Sequence, residues 1–293
     1  DDIAYDKRTN KPVTGKIVKN YANGKPQAVS RHKDGKREGP AKEFYENGQL
    51  KNNGNWKDGE RMDGRWEELW PNGQLKAGGN YKDGKRDGLW AVQKRKWETT
   101  LIGNYREGKQ DGLWEGHSGK SKIKVHYKGG KKDGLSEYFH NGQLSLKGGY
   151  IDGKKDGLWK MHYKTGEISS NSIYKKDGQV ETTNFYKNGK IESKGFSEVI
   201  NEATEHMVGR WEFLYEAGQI KEVGHVKEGR PDGRWKYFNE DGSLDEIENY
   251  KDGNLEKTES YKDGELDGTF FSASPTELLP LSNYIEKIRA NPP

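Results

Sequence analysis

A glycine, an aromatic strand, an Asn-Gly-like turn, a Leu/Ile strand and a Lys-Asp-Gly turn follow one another again and again along this chain. One copy runs Gly157-Leu-Trp-Lys-Met-His-Tyr, then Lys164-Thr165-Gly166, then Glu167-Ile168. The opening glycines of comparable units stand at 39, 64, 88, 112, 134, 157, 209 and 233, most neighbours being 22 to 25 residues apart. A fixed period of this length predicts a repeat architecture, in which a unit too small to bury its own apolar face stacks on the next. A repeated surface also points to binding rather than catalysis.

Composition sets the thickness of that stack. Hydrophobic residues are only 29% of the 293, and mean hydropathy is -1.22, close to a disordered composition. Order comes from 9 Trp, 16 Tyr and 39 Gly placed in register. Such a chain builds a thin structure rather than a thick core. The 51 Lys+Arg and 47 Asp+Glu give a net charge of +4 with the signs interleaved, which argues against a nucleic-acid stripe. With no cysteine, disulfide scaffolds, Cys-ligated zinc and Cys nucleophiles are excluded. No run approaches the ~18 apolar residues of a membrane-spanning helix. The chain opens Asp1-Asp2-Ile3 without Met, which fits a processed N-terminus and a periplasmic location, the cytoplasm being the alternative.

Asn-Gly between two β-prone runs predicts a hairpin with a type I′ turn, as at Asn47-Gly48, Asn72-Gly73, Asn141-Gly142 and Asn188-Gly189. Counting outward from a two-residue turn at Asn72-Gly73 puts Trp70 opposite Leu75 and Trp66 opposite Gly79. The same rule sets Trp211 opposite Gly224, Ala41 opposite Gly54, Tyr45 opposite Leu50 and Tyr215 opposite Ile220. Large rings over cross-strand glycines cover bare backbone. One face then carries an aromatic stripe. The other is mostly polar, with an occasional Leu69, Leu214 or Phe238. The fold class expected is all-β: an elongated repeat of antiparallel β-hairpins, about two strands per ~24-residue repeat, with a short helical C-terminal cap. Residues 1–14 are a lead-in, 15–270 the array, irregular at 94–98 and 197–207, and 271–293 the cap. Ser274-Pro275-Thr276-Glu277 is a helix start, followed by Leu278, Leu279, Leu281, Tyr284, Ile285 and Ile288.

A search for chemistry returns little. The seven histidines form no His-Glu-x-x-His site; His117 and His126 approach only if a hairpin brings them together. Gly119-Lys120-Ser121 ends like a phosphate loop, but Trp114 stands where its first glycine belongs. Ser118 in Gly116-His117-Ser118-Gly119 reads as a hairpin tip, not a nucleophile elbow. Asp87, Asp111, Asp133 and Asp156 recur once per unit beside Lys or Arg, which is turn chemistry rather than calcium ligation. No catalytic, cofactor or metal residues are expected.

The repeat Tyr-Lys-Asp-Gly-Lys-x-Asp-Gly-x-Trp, as at 81–90, 105–114 and 150–159, resembles the MORN (membrane occupation and recognition nexus) repeat. With Asn-Gly-Gln-Leu-Lys at 47–51 and 72–76 it is similar to the bacterial variant, over roughly residues 15–268. The combination looks like the YwqK-type antitoxin family. That resemblance implies a MORN-like meander and an antitoxin or immunity role. The longer strand between motifs departs from the eukaryotic pattern and weakens transfer of membrane binding. The function expected is a non-enzymatic protein-binding repeat protein that neutralises a bacterial toxin effector, such as a secreted phospholipase, by direct binding. The alternative is a membrane-associated or structural scaffold. The partner expected is a protein, not nucleic acid; the oligomeric state stays open. Breaks in the period are where a partner is expected, at Trp97, Arg95, Glu198, Glu202, Glu205, His206 and Tyr284.

Overall fold

A computed structural model of the chain describes residues 3–94, 99–201 and 204–272. The chain divides into two compact units, Asp1–Gly134 and Leu135–Pro293. In the first lie β1 (Gly15–Asn20), β2 (Pro26–Lys33), β3 (Lys36–Phe44), β4 (Leu50–Lys57), β5 (Glu60–Arg61), β6 (Gly64–Leu69), β7 (Leu75–Lys82), β8 (Lys85–Lys94), β9 (Thr99–Arg106), β10 (Lys109–Ser118) and β11 (Ser121–Lys128). Each pairs antiparallel with the next, β5 and β6 both pairing with β4. The division falls within β12 (Lys131–His140). The second unit holds β13 (Gln143–Ile151), β14 (Lys154–His162), β15 (Ile168–Tyr174), β16 (Gln179–Phe185), β17 (Ile191–Asn201), β18 (Thr204–Leu214), β19 (Ile220–Lys227), β20 (Arg230–Phe238), β21 (Leu244–Lys251), β22 (Asn254–Lys262) and β23 (Glu265–Phe271). From β13 on, these too pair antiparallel in chain order.

The fold is therefore the all-β hairpin meander the period predicts. Among the described residues there is no helix. The expected cap falls, from residue 273 on, outside the described residues, and Phe271 belongs to β23 rather than to a cap.

The type I′ turn expected at Asn-Gly is found instead at most of the Lys-Asp-Gly turns. At Asp83-Gly84 both residues have positive φ, 50° and 70°, so the Lys-Asp-Gly connection is the two-residue type I′ hairpin. At Asn72-Gly73 only Gly73 does, at 83°. There Gly73 N–H donates to Trp70 O and Trp70 N–H to Gln74 O, while Asn72 Oδ1 accepts from Gln74 N–H. That is a type I turn closed by a left-handed glycine, a longer loop than two residues. It shifts the register beside the turn by one: Leu69, not Trp70, lies opposite Leu75, Phe44 opposite Leu50, and Leu214 opposite Ile220. A bulge absorbs the difference, so Trp66 still pairs with Gly79, Ala41 with Gly54 and Trp211 with Gly224. Asn141-Gly142 alone of the Asn-Gly turns has both φ values positive.

The aromatic face is tiled, but in the direction opposite to the expected one. The ring over Gly79 is Trp90 of the following hairpin, whose Cδ2 would stand 2.4 Å from an added Cβ. Trp66 covers Gly54, Trp114 covers Gly103, Trp159 covers Gly148, Trp211 covers Gly195 and Trp235 covers Gly224. Each glycine in these hairpins thus provides the floor for the next repeat's indole. The indole N–H finishes the fit by donating to the carbonyl just after the glycine: Trp90 to Asn80, Trp114 to Asn104, Trp159 to Gly149, Trp211 to Phe196 and Trp235 to His225. Trp66 is the exception. Met62 N–H takes the Asn55 carbonyl that the indole would use, and Trp66 Nε1 is buried without a partner. Rings then pack edge to face along the first unit, Trp66–Tyr81–Trp90–Tyr105–Trp114, at centroid separations of 5.2 to 5.8 Å. This chain of rings is why a sequence with so few aliphatic residues keeps a core.

Two further ladders stitch neighbouring hairpins. Tyrosines at the type I turns donate to a backbone carbonyl one hairpin on: Tyr21 to Phe44, Tyr45 to Leu69, Tyr163 to Phe185, Tyr186 to Leu214 and Tyr215 to Phe238, at 2.6 to 2.9 Å. At the other hairpin end, the acid before the opening glycine accepts from the next turn, as when Asp63 Oδ1 takes Asp83 N–H at 2.7 Å and Asp232 takes Asp252 N–H. At these two positions the acid serves the turn of the next repeat, whereas Asp111, one of the acids singled out from sequence, lies 3.2 Å from Arg106.

Candidate partner-binding face

Alternation along the strands sends the tryptophans to one face and the residue before each of them to the other. On that outer face the second unit carries one transverse row across five strands. Leu158 lies opposite Ile173, Ile173 opposite Glu181, Glu181 opposite Phe196 and Phe196 opposite Val208. Leu158, Ile173 and Phe196 are 45%, 42% and 40% exposed. A parallel row beside it runs Gln179, Glu198, His206. Lys175 closes the group, lying 4.0 Å from Glu181 and 5.8 Å above the Phe196 ring. Apolar side chains rimmed by charges have the make-up of an interface centre and its edge. The first unit has Leu89, Ile102 and Leu113 exposed on its corresponding face.

The 197–207 irregularity is a longer hairpin. Where other repeats turn at Lys-Asp-Gly, β17 and β18 run on, pairing Val199 with Glu205 and Asn201 with Thr204. Three added residues carry the tip roughly 10 Å past the regular turns at the rise of a strand. Val199 and Ile200 at that tip are exposed, Ile200 to 55%. The hairpin is anchored at its base, where Val199 N–H donates to Gly178 O and Gly229 N–H to Met207 O.

Glu198 and His206 are direct cross-strand partners on the outer face, next to Phe196. Glu205 points to the other face, where it accepts from Tyr174 Oη at 2.6 Å and lies 3.5 Å from Lys155 Nζ. Burial, reinforced by Glu205, raises the Tyr174 phenol well above its ordinary value. Glu205 thus has a structural task, holding the aromatic row to the extended hairpin. Arg95, Trp97, Glu202 and Tyr284 lie outside the described residues. Sequence reading looked for charged residues and an off-register Trp, and it missed Leu158, Ile173 and Phe196. The signal was present: Gly-Leu-Trp puts the leucine on the face away from the tryptophan.

The inner face is chemically busy but internally committed. In the first unit Arg61 stacks 4.3 Å from the Trp66 ring and donates to Tyr81 Oη at 2.6 Å. Arg86 repeats this on Trp90 at 4.5 Å and Tyr105 Oη at 3.1 Å. Burial works against the Arg86 charge, but the hydrogen bonds it donates to Tyr81 and Tyr105 outweigh that and hold the guanidinium above its usual value. Between the two arginines lies a cleft of about 130 Å³. His126 stands opposite Leu113 and His117 opposite Lys122, so the register does not pair these histidines. Ser118 and Ser121 flank a hairpin tip. Among the described residues no group of three or more His, Cys, Asp or Glu is placed to hold a metal ion.

Comparison with known proteins agrees with the repeat. The family model of the MORN repeat variant matches residues 37–58, 62–83 and 231–252. A crystal structure of an S. aureus TarM mutant in complex with Fondaparinux, alpha-GlcNAc-glycerol and UDP is similar over 41% of this chain and 21% of that one, at 12% identity and a TM-score of 0.23. The chain thus spans about a fifth of that protein's length, and a likeness this low carries no argument. No curated protein matches. The chain is a repeat protein carrying MORN-variant hairpins, an architecture suited to binding and scaffolding.

Proposed function

We propose that the chain is a non-enzymatic protein-binding repeat protein, and that it acts as an immunity protein neutralising a bacterial toxin effector by direct binding. The observation that carries the reading is the convergence on one outer face of an apolar row, a charged rim and a hairpin that departs from the repeat. Trp66, Trp90, Trp114, Trp159, Trp211 and Trp235 are used up in tiling the inner face, so the residues left to recognise a partner are Leu158, Ile173, Phe196 and the β17–β18 tip. A face built on a hydrogen-bonded meander is preorganised and loses little entropy on binding. The antitoxin role itself rests on the sequence resemblance, with the periplasm as the compartment proposed.

The test is titration against bacterial toxin effectors, a secreted phospholipase first, by calorimetry and by rescue of effector toxicity in cells. Phe196→Asp and Ile200→Asp are expected to weaken binding at least tenfold and to abolish rescue, with the β-sheet circular dichroism unchanged. Full affinity in both variants removes the outer face from the account. No heat and no rescue with the unaltered chain removes the immunity role while leaving the scaffold.

A further inference from the structure

We infer that the inner face of the first unit binds an extended acidic peptide with a carboxylate at every third residue. The inference is independent of the toxin-binding reading, which concerns the outer face of the second unit. It starts from three arginines, each two residues past a turn glycine: Arg37 after Gly35, Arg61 after Gly59 and Arg86 after Gly84. Arg37 lies 4.8 Å from the Trp56 ring, Arg61 4.3 Å from Trp66 and Arg86 4.5 Å from Trp90. Stacking, with a tyrosine bond for Arg61 and for Arg86, holds these side chains in place without neutralising them. Among the described residues none of the three has a carboxylate within ion-pair distance. Their cross-strand partners carry no acid either. Trp56 pairs with Arg61, Tyr81 with Arg86 and, one hairpin on, Tyr105 with Gln110; Arg37 pairs with His32. The acids at the adjoining turns, Glu38 and Asp63, accept the N–H groups of Asp58 and Asp83. In a chain whose charges otherwise interleave, this is a strip of one sign. The second unit does not repeat it. Lys155 holds the equivalent position but lies 3.5 Å from Glu205, and Pro231, Leu255 and Leu266 stand at later ones.

Spacing and shape select the ligand. Successive arginines stand two strands apart, roughly 10 Å at the spacing of a sheet. The planar fork of each guanidinium accepts a carboxylate bidentately. An extended chain also advances roughly 10 Å in three residues, so acids at every third residue meet successive arginines. Between Arg61 and Arg86 lies the cleft of about 130 Å³, walled by Trp66, Ala77, Tyr81 and Trp90. It is close in size to cavities that admit a benzene ring. The acids at its edge, Glu67 and Glu68, are already paired with Arg65 and Lys76. A peptide can seat an apolar side chain in this cleft between two of its acids. An inorganic polyanion has nothing to place there.

Fluorescence anisotropy of a labelled peptide, three Glu-Leu-Ser repeats, titrated with the full-length protein tests the inference. Binding is expected, and it should weaken several-fold as salt is raised. A peptide of the same composition with its glutamates contiguous is expected to bind at least ten times more weakly. Arg61→Gln and Arg86→Gln should each lower affinity at least fivefold with the β-sheet circular dichroism unchanged. Arg61→Lys should restore only part of the loss, because an ammonium lacks the fork. Lys155→Gln should leave affinity unchanged. A readout that needs no protein variant is the peptide with its leucines replaced by serine, which should bind at least fivefold more weakly. Equal affinity for the two glutamate spacings, or affinity unmoved by both arginine variants, would overturn the inference. So would a loss on Lys155→Gln equal to that on Arg61→Gln, or tighter binding to polyphosphate or to phosphatidylglycerol vesicles than to the peptide.

Discussion

Alanine at Gly103 tests the tiling of indoles over glycines. Gly103 is on an extended strand, so its lack of a side chain serves space rather than backbone conformation. A Cβ there would stand 2.3, 2.4 and 2.6 Å from three ring atoms of Trp114. These separations lie far inside van der Waals contact, so the ring must move. Trp114 is 1% exposed and is held by Tyr105 at 5.2 Å, Tyr127 at 6.2 Å and its bond to Asn104 O. Overpacking of this kind costs about 1–3 kcal/mol. Trp114→Ala alone removes a buried indole and costs about 3–5 kcal/mol. In the Trp114→Ala background the added methyl meets no ring, and alanine is favoured over glycine within a strand by about 0.5–1 kcal/mol. Gly103→Ala is therefore expected to change sign between the two backgrounds, with a coupling energy on the order of 2–3 kcal/mol. Denaturant unfolding of the four proteins, followed by far-UV circular dichroism with m compared across them, measures it. The same cost for Gly103→Ala in both backgrounds would refute the reasoning.

The other expectations concern turns, clips and charge. Asp83→Gly should be tolerated within about 0.5 kcal/mol, whereas Asp83→Val, forced to a φ of 50°, should cost about 1–2 kcal/mol in unfolding midpoint. Tyr45→Phe removes the 2.9 Å bond to Leu69 O and should cost about 1 kcal/mol, with proteolysis near the turn at 70–74 as a local readout. Burial raises the Glu222 carboxyl above its usual range, against the pull of Lys221 and with the push of Glu248. A raised folded value means that its contribution is fully present below the ordinary carboxylate range and is lost as pH rises through the raised value. Glu222→Gln should therefore stabilise the protein at neutral pH, and the gain should vanish in acid; a gain that persists or grows in acid reverses the assignment.

What the sequence made legible follows from period. Strand alternation and glycine spacing fixed the pairing of Trp66 with Gly79 and Trp211 with Gly224, because a register with one buried face has few alternatives. The turn types were not legible. Asn-Gly and Asp-Gly both accept positive φ, and the residue before does not separate them: Lys176-Asp177-Gly178 and Lys187-Asn188-Gly189 make the type I turn, Lys82-Asp83-Gly84 the two-residue one. The direction of tiling was equally hidden, since Gly79 pairs with tryptophans on both sides, Trp66 and Trp90, and only the side-chain rotation decides which ring covers it. At the candidate face, the break at 197–207 marked the lengthened hairpin of β17 and β18. Glu198 and His206 were found there, while Glu205, indistinguishable from them by type, proved to be tied to Tyr174 by strand parity.

Hydrogen–deuterium exchange on the chain alone and mixed with the toxin effector proposed as its partner tests the central claim most directly. The account predicts slowed exchange confined to the second unit, in the peptides covering 156–160, 171–175 and 194–206, with the first unit unchanged. Protection centred on the first unit, or spread evenly along the repeats, would contradict it.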